Sequence, residues 1–336
     1  MRVLVTGGLG FIGSHTVVEM LADGHEVEIV DDLSNAKASV LDRLEQLTGV
    51  RPPFHRLDIR DERGLDAVMA GRGFEGIVHF AGLKAVGESV DRPLRYYSAN
   101  VGGSTTLLSV ARRHGVRTVV FSSSCTVYGA PDRVPVSESH PTRAPSNPYG
   151  WSKLMIEQIL TDLHRSEPGW NMALLRYFNP VGAHDSGVIG EDPRDTPNNL
   201  MPYLTQVAAE RLPELHVFGG DYPTRDGTGV RDYIHVVDLA RGHVAAMEYM
   251  AEHPGLHVWN LGTGRGASVL ELVSAFERAT GVRIPYRIVE RRAGDLAETW
   301  ADPSKAQREL GWSADPSLDR MCADAWRWQQ HALGMD

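Results

Sequence analysis

At 336 residues, with 42% apolar and 23% charged side chains, the chain is long enough for one large core or two modest ones. A formal charge of -9 excludes a general nucleic-acid binder, yet leaves room for a local basic patch around an anionic ligand. The cysteines Cys125 and Cys322 form no disulfide framework, and no apolar run approaches the roughly 20 residues of a membrane span. Met1 leads straight into an apolar run, so no cleavable leader is expected and a reducing cytoplasm is the expected location.

In chain order, short apolar stretches rich in Val, Ile and Phe predict strands over 3–6, 26–30, 54–57, 76–80 and 118–122. Helical stretches at 12–23, 40–48, 65–70 and 101–113 alternate with them. This rhythm implies an α/β fold of Rossmann type, a doubly wound parallel sheet covered on both faces. From about residue 168 the pattern loosens, with Pro168, Pro180, Pro193, Pro197 and Pro202 as breaks and a polar, turn-rich loop over 219–229. Helices are expected again at 200–210, 237–250, 269–280 and 304–310. The expected organisation is a Rossmann-type domain over 1–167 and a smaller, loop-rich lobe over 168–336, with the chain free to cross between them. No repeat, heptad or low-complexity tract is present.

Gly7, Gly10 and Gly13 join the first strand to the first helix. Glycines at this spacing permit a tight turn, close backbone approach to a pyrophosphate and close helix packing, with the helix N-terminus facing the negative charge. About 20 residues on, Asp31 and Asp32 end the second strand. A carboxylate there accepts from ribose hydroxyls and repels a 2′-phosphate, which favours NAD over NADP. Asp58 and Ile59 close the third strand, where a carboxylate can accept from an adenine amino group.

Tyr149 and Lys153 are four residues apart and share one face of a helix beginning near 149. A phenol with a pKa of about 10 is a poor base at neutral pH. A neighbouring ammonium and a positive nicotinamide ring both favour the phenolate. Tyr149 then takes a proton from a substrate hydroxyl while hydride leaves the same carbon. The strand before it ends in Ser122, Ser123 and Ser124, and Ser124 can donate to the reacting oxygen. Cys125 reads as a packed neighbour rather than a nucleophile, and His79, in an apolar strand, as a satisfied core histidine. The 14 histidines show His-x-x-x-His spacing only at His253 and His257, with Pro254 and Gly255 between them, and no Cys/His spacing diagnostic of a metal site.

With these residues in place, the chain resembles the extended short-chain dehydrogenase/reductases and, within them, the UDP-glucose 4-epimerase family. The resemblance spans essentially the whole chain. It includes the run from His79 to Ser89, the run from Ala173 to His184 containing Arg176-Tyr177-Phe178-Asn179-Pro180, the run Asn198-Asn199-Leu200-Met201-Pro202, and the run from Asp226 to His235. It implies NAD contacts from Phe11, Ile12, Asp31, Asn35, Asp58, Ile59, Phe80, Lys84, Lys153 and Phe178, with Ala81, Gly82 and Ser122 beside them. It implies a UDP-sugar site formed by Lys84, Ser124, Tyr149, Asn179, Asn199, Arg231, Arg292 and Asp295. Arginines suit a diphosphate, and Asn amides suit sugar hydroxyls. The implied activity is reversible C4 epimerisation of UDP-glucose and UDP-galactose through a 4-keto sugar, with NAD retained. The family's usual homodimer would pair the stretches 90–115 and 151–165.

Two positions depart from the family's pattern. Ala99 stands where Asn is common near the nicotinamide, which removes one cofactor hydrogen bond. Thr299 stands at a gatekeeper position, where a small residue leaves space for a 2-acetamido group and so admits UDP-N-acetylglucosamine and UDP-N-acetylgalactosamine. A nucleotide-sugar 4,6-dehydratase is the alternative enzyme, but it needs an acid/base pair where this chain has Cys125-Thr126. A Rossmann protein that only senses NAD would tend to lack Tyr149 and Lys153 in register.

Overall fold

Alternation makes the first strand two-faced: Val3 and Val5 enter one core cluster, Leu4 the other, and all three are fully buried. The computed structural model describes residues 1–142, 145–193, 197, 199–292, 294–315 and 317–335. Its first half runs β1 (Arg2–Thr6), α1 (Phe11–Ala22), β2 (Glu26–Asp31), α2 (Val40–Thr48), β3 (Phe54–Arg56), α3 (Glu62–Met69) and β4 (Gly76–His79). Then follow α4 (Val86–Asp91), α5 (Pro93–Tyr96), a π-helix (Tyr97–Gly102), α6 (Gly103–Arg113), β5 (Thr118–Ser124), a 3-10 turn (Cys125–Tyr128) and α7 (Pro148–Ser166).

The second half contributes β6 (Asn171–Tyr177), β7 (Asn179–Val181), α8 (Leu200–Ala208), β8 (Leu215–Phe218), β9 (Val230–Arg231), β10 (Tyr233–His235) and α9 (Val236–Glu252). It ends with β11 (Leu256–Leu261), β12 (Ala267–Ser268), α10 (Val269–Thr280), β13 (Tyr286–Val289), β14 (Glu298–Thr299), α11 (Ser304–Leu310) and α12 (Leu318–Leu333).

Seven strands form one sheet in the order β11-β6-β5-β4-β1-β2-β3, and every pairing is parallel. The order reverses between β1 and β4, so a crevice opens there beyond the carboxyl ends of the strands. The glycine turn after β1 and the segment after β4 face each other across it, with Ala81 N–H donating to the Thr6 carbonyl at 3.1 Å. One face of the sheet packs Val17, Leu44, Leu239 and Met247 from α1, α2 and α9. The other packs Leu65, Leu107, Ile156 and Leu160 from α3, α6 and α7.

The boundary expected between 167 and 168 does not divide the chain in space. β6 and β11, from beyond it, extend the central sheet, and α9 packs on α1. Pro168 and Pro180 bracket β6 without interrupting it, so the run Met172-Ala173-Leu174-Leu175 is a buried strand within a proline-rich stretch. The smaller lobe closes around Leu204, Val217, Tyr233, Leu272, Phe276 and Met321. Its last helix, α12, escaped the sequence reading although Met321, Cys322, Ala325 and Trp328 line one buried face. The stretch expected as a helix from 101 opens instead as a π-helix before α6.

Helix α7 starts where Asn147 accepts from Gly150 N–H at 2.9 Å and Pro148 takes the first turn. Two turns on, Glu157 ties it to the sheet. Its carboxylate accepts from the Ser123 hydroxyl at 2.5 Å and from Arg176 at 2.9 and 2.6 Å, and Arg176 also donates to the Tyr128 hydroxyl at 3.0 Å. The Glu157 and Arg176 side chains are 5% and 8% exposed. Replacing Glu157 by Gln leaves the guanidinium buried without a counter-charge. The expected cost is about 3 kcal/mol or more of unfolding free energy, read from urea denaturation; a loss below about 1 kcal/mol would rank the pair with surface ion pairs.

Candidate active site

Each glycine of the first turn answers a different steric demand. Gly7 has φ +71°, and a Cβ on it would lie 2.7 Å from Ala81 N. On Gly13 a Cβ would lie 2.2 Å from the Gly7 carbonyl oxygen, so α1 packs onto the turn only without a side chain there. Gly10 is freer: a Cβ would meet only the Gly7 oxygen, at 3.3 Å, and the residue lines the cleft. Gly10 is also the N-cap of α1, with no side-chain cap and no acidic residue in the first turn. An open helix N-terminus without a Cβ in front of it fits a pyrophosphate.

The carboxylates expected nearby are placed as follows. Asp31 is buried at the end of β2 and accepts from Leu9 N–H at 3.2 Å and Leu33 N–H at 2.9 Å. Asp32 accepts from Ser34 N–H at 2.8 Å, and Asn35 lines the cleft. Asp58 is gripped by Arg60, whose Nε reaches both oxygens at 3.0 Å; these bonds hold its carboxyl below the usual range. Ile59 is buried beneath Gly103. Across the crevice His79 is a satisfied core residue. Ser104 Oγ already donates to the Asn100 carbonyl, so His79 Nε2–H donates to it at 2.8 Å and Nδ1 accepts from Thr6 at 2.7 Å. Burial pushes that imidazole down to about 3.

At the end of β5, Lys153 Nζ donates to the Ser122 carbonyl at 2.7 Å and lies 5.9 Å from the centre of the Tyr149 ring. Ser124 hydrogen-bonds the Tyr149 hydroxyl. The sequence reading expected the ammonium to favour the phenolate. In the protein alone burial outweighs it: the phenol is pushed up to about 12, with the Ser124 bond opposing, and Lys153 is pushed down to about 8. Burial likewise pushes the Cys125 thiol up to about 11, which makes it inert as a nucleophile.

A cleft of about 1130 Å³ runs between the sheet and the smaller lobe. Gly10, Phe11, Asn35, Gly82 and Lys84 line one bank; Asn179, Asn199, Arg231, Arg292 and Asp295 line the other. Ser122, Ser124, Lys153 and Phe178 are buried off this wall, and Phe80 packs 4.8 Å from His243. Thr299 is also off the wall, on β14 in register with Arg231. Asn198 lies outside the described residues. Among the lining residues that the sequence reading did not single out, Phe218 and Glu191 make defined contacts with ones it did. Phe218 sits 3.8 Å beneath the Arg292 guanidinium, and Glu191 accepts from Lys84 at 2.7 Å and Asn199 at 2.8 Å through one oxygen. Phe218 had the signal of strand alternation in Leu215-His216-Val217-Phe218; Glu191, in an irregular loop, had none.

The model of the NAD dependent epimerase/dehydratase family matches residues 3–262. The chain belongs to this family. The UDP-glucose 4-epimerase of Bacillus subtilis (strain 168) is 56% identical over 329 residues, 98% of this chain and 97% of that protein. A crystal structure of UDP-glucose-4-epimerase from Stenotrophomonas maltophila, with bound NAD and formylated UDP-arabinopyranose, superimposes with TM-score 0.97 at 53% identity, covering 100% of both chains. The Bifidobacterium longum UDP-glucose 4-epimerase, in complex with NAD+ and UDP, gives TM-score 0.95 at 51% identity over 98% of both chains.

Within this NAD-dependent family the π-helix places Ala99 beside Asn100. Asn100 does not supply the amide that Ala99 lacks, because its own is engaged: Oδ1 accepts from Leu83 N–H at 2.8 Å, and Nδ2 donates to Ser152 at 2.9 Å. With burial pushing the Tyr149 pKa up to about 12, its phenolate forms only near that pH in the protein alone. The check is a 295-nm difference titration of the protein against Tyr149→Phe; a Tyr149 transition below pH 9 would contradict the balance of burial over the ammonium.

Proposed function

We propose that the chain interconverts UDP-glucose and UDP-galactose at C4, with Tyr149 as the proton carrier and the sugar passing through a 4-keto state. The observation that carries this reading is the placement of Tyr149, Lys153 and Ser124 at the carboxyl end of β5, next to a cleft bordered by Lys84, Arg231 and Arg292. NAD, when bound, supplies reversible hydride acceptance at C4. Gly7, Gly10, Phe11, Asp31, Asn35, Asp58 and Lys153 would hold it, with Ala81, Gly82 and Phe178 against its rings and ribose.

The chain's own residues move the proton and hold the substrate. Tyr149 takes the 4-hydroxyl proton and returns it to the oxygen after the sugar has turned its other face. Ser124 donates to that oxygen, and the Lys153 ammonium opposes the burial cost of the phenolate. Arg231 and Arg292 neutralise the diphosphate, while Asn179, Asn199 and Asp295 address hydroxyl groups. Firm binding of nucleotide and diphosphate with few sugar contacts leaves the 4-keto ring free to rotate. A 4,6-dehydratase would need an acid/base pair after β5, where Cys125 and Thr126 stand.

Thr299 is tied by backbone pairing to Arg231, with Asp232 N–H donating to its carbonyl at 3.2 Å. We infer that its short side chain also admits N-acetylated sugars. Purified protein incubated without added NAD is expected to convert both UDP-galactose and UDP-N-acetylgalactosamine. Tyr149→Phe should lower both rates at least about 10³-fold, and Thr299→Tyr should remove the N-acetyl activity alone. Undetectable N-acetyl turnover beside rapid UDP-galactose turnover would refute the gate; normal turnover in Tyr149→Phe would refute the base.

We also propose a cytoplasmic homodimer. Among the described residues no helix is long and apolar enough to cross a membrane. Val90 is 60% and Leu94 82% exposed, and Val86 and Met155 are exposed on neighbouring helices, so α4, α5 and α7 carry a cluster of uncovered apolar side chains. Leu94→Glu combined with Val90→Glu should halve the mass in sedimentation equilibrium; an unchanged dimer mass would place the interface elsewhere.

A further inference from the structure

Ser124 ends β5 and caps the 3-10 turn Cys125–Tyr128. Its Oγ accepts twice from one residue: from Thr126 N–H at 3.2 Å and from the Thr126 hydroxyl at 3.0 Å. A serine hydroxyl has two acceptor lone pairs and one proton. With both lone pairs occupied, Ser124 has only its O–H left to offer. Of the groups beside it, the Tyr149 oxygen is a strong acceptor and the Cys125 thiol a weak one.

We propose that Thr126 is a positioning residue that fixes the polarity of the site, making Ser124 an obligatory donor whose single proton goes to the Tyr149 oxygen or, once Tyr149 has taken the substrate proton, to the substrate O4. This deepens the reading in which Tyr149 is the base and Ser124 its partner, and rests on it. A serine free to rotate could accept from the substrate hydroxyl, competing with Tyr149 for the proton that must leave. Held by Thr126, it cannot. The hydrogen bond it donates strengthens as Tyr149 becomes phenolate and again as charge develops on O4, so it acts where it lowers the barrier. The Thr126 backbone N–H alone does not suffice, because it leaves one lone pair open.

The groups facing the Tyr149 hydroxyl are Lys153 from its own helix, Ser124 and Cys125 from the end of β5 and its turn, and Tyr177 from β6. Among these, only the Ser124 bond is removed or redirected by a change at Thr126. Losing a bond to the phenolate raises the Tyr149 pKa, so the acid limb of the kcat–pH profile moves to higher pH.

The experiment compares Thr126→Val, Thr126→Ser and Ser124→Ala as NAD-loaded enzymes, measuring kcat and KM for UDP-galactose across pH, bound NAD per chain and Tm. Thr126→Val should lower kcat about tenfold with KM and NAD content unchanged, and should shift the acid limb upward. Thr126→Ser should restore both. A slow Ser124→Ala beside a Thr126→Val of wild-type rate and pH profile would overturn the proposal while leaving the role of Ser124 intact. A Thr126→Ser as slow as Thr126→Val would overturn it in favour of methyl packing. A Ser124→Ala of wild-type rate would overturn the reading beneath it as well.

Discussion

The proposed chemistry depends on the docking of α7 on β5. Residues 149, 153 and 157 share one helix face, and they meet Ser124, Ser122 and Ser123 at the end of a single strand. Lys153 reaches a backbone carbonyl and Glu157 a serine hydroxyl together with the Arg176 guanidinium, so the register of helix on strand is set by polar contacts with no free play. Apolar packing of Ile156 and Leu160 holds the helix down but would tolerate a small slide. A buried ion pair with directional bonds does not.

That same burial sets the electrostatic problem of the site. A phenol and an ammonium are both forced toward their neutral forms, Tyr149 upward and Lys153 downward. Neither shift suits a proton carrier by itself. The phenolate gains from the Lys153 ammonium, from the Ser124 hydroxyl and from any positive charge brought into the site, so filling the site would favour it. In the proposed reaction this coupling would link proton transfer to occupancy.

The cleft joins two parts of the chain with different duties. The sheet bank presents a helix N-terminus, glycines and buried acids on a rigid scaffold. The lobe bank presents Asn179, Asn199, Arg231 and Arg292 from short strands, a helix start and a loop. Glu191 spans the two, accepting from Lys84 on one and Asn199 on the other through one carboxylate oxygen.

The doubly wound sheet, the glycine turn and the pair Tyr149/Lys153 were legible in the sequence because each is a local pattern. Apolar strands, glycine spacing and a helical repeat of four residues are properties of neighbouring positions. Three features were not local. β6 and β11 complete the sheet from beyond a proline-rich stretch, since strand pairing depends on what lies alongside rather than on what flanks the strand. Glu191 acquires its role from Lys84, 107 positions away. The Tyr149 pKa moves upward because burial, a property of the assembled core, outweighs the ammonium that the spacing revealed. Sequence periodicity determined which elements form and which residues share a face; tertiary structure decided strand neighbours, long-range partners and desolvation, because all depend on neighbours that only the folded chain supplies.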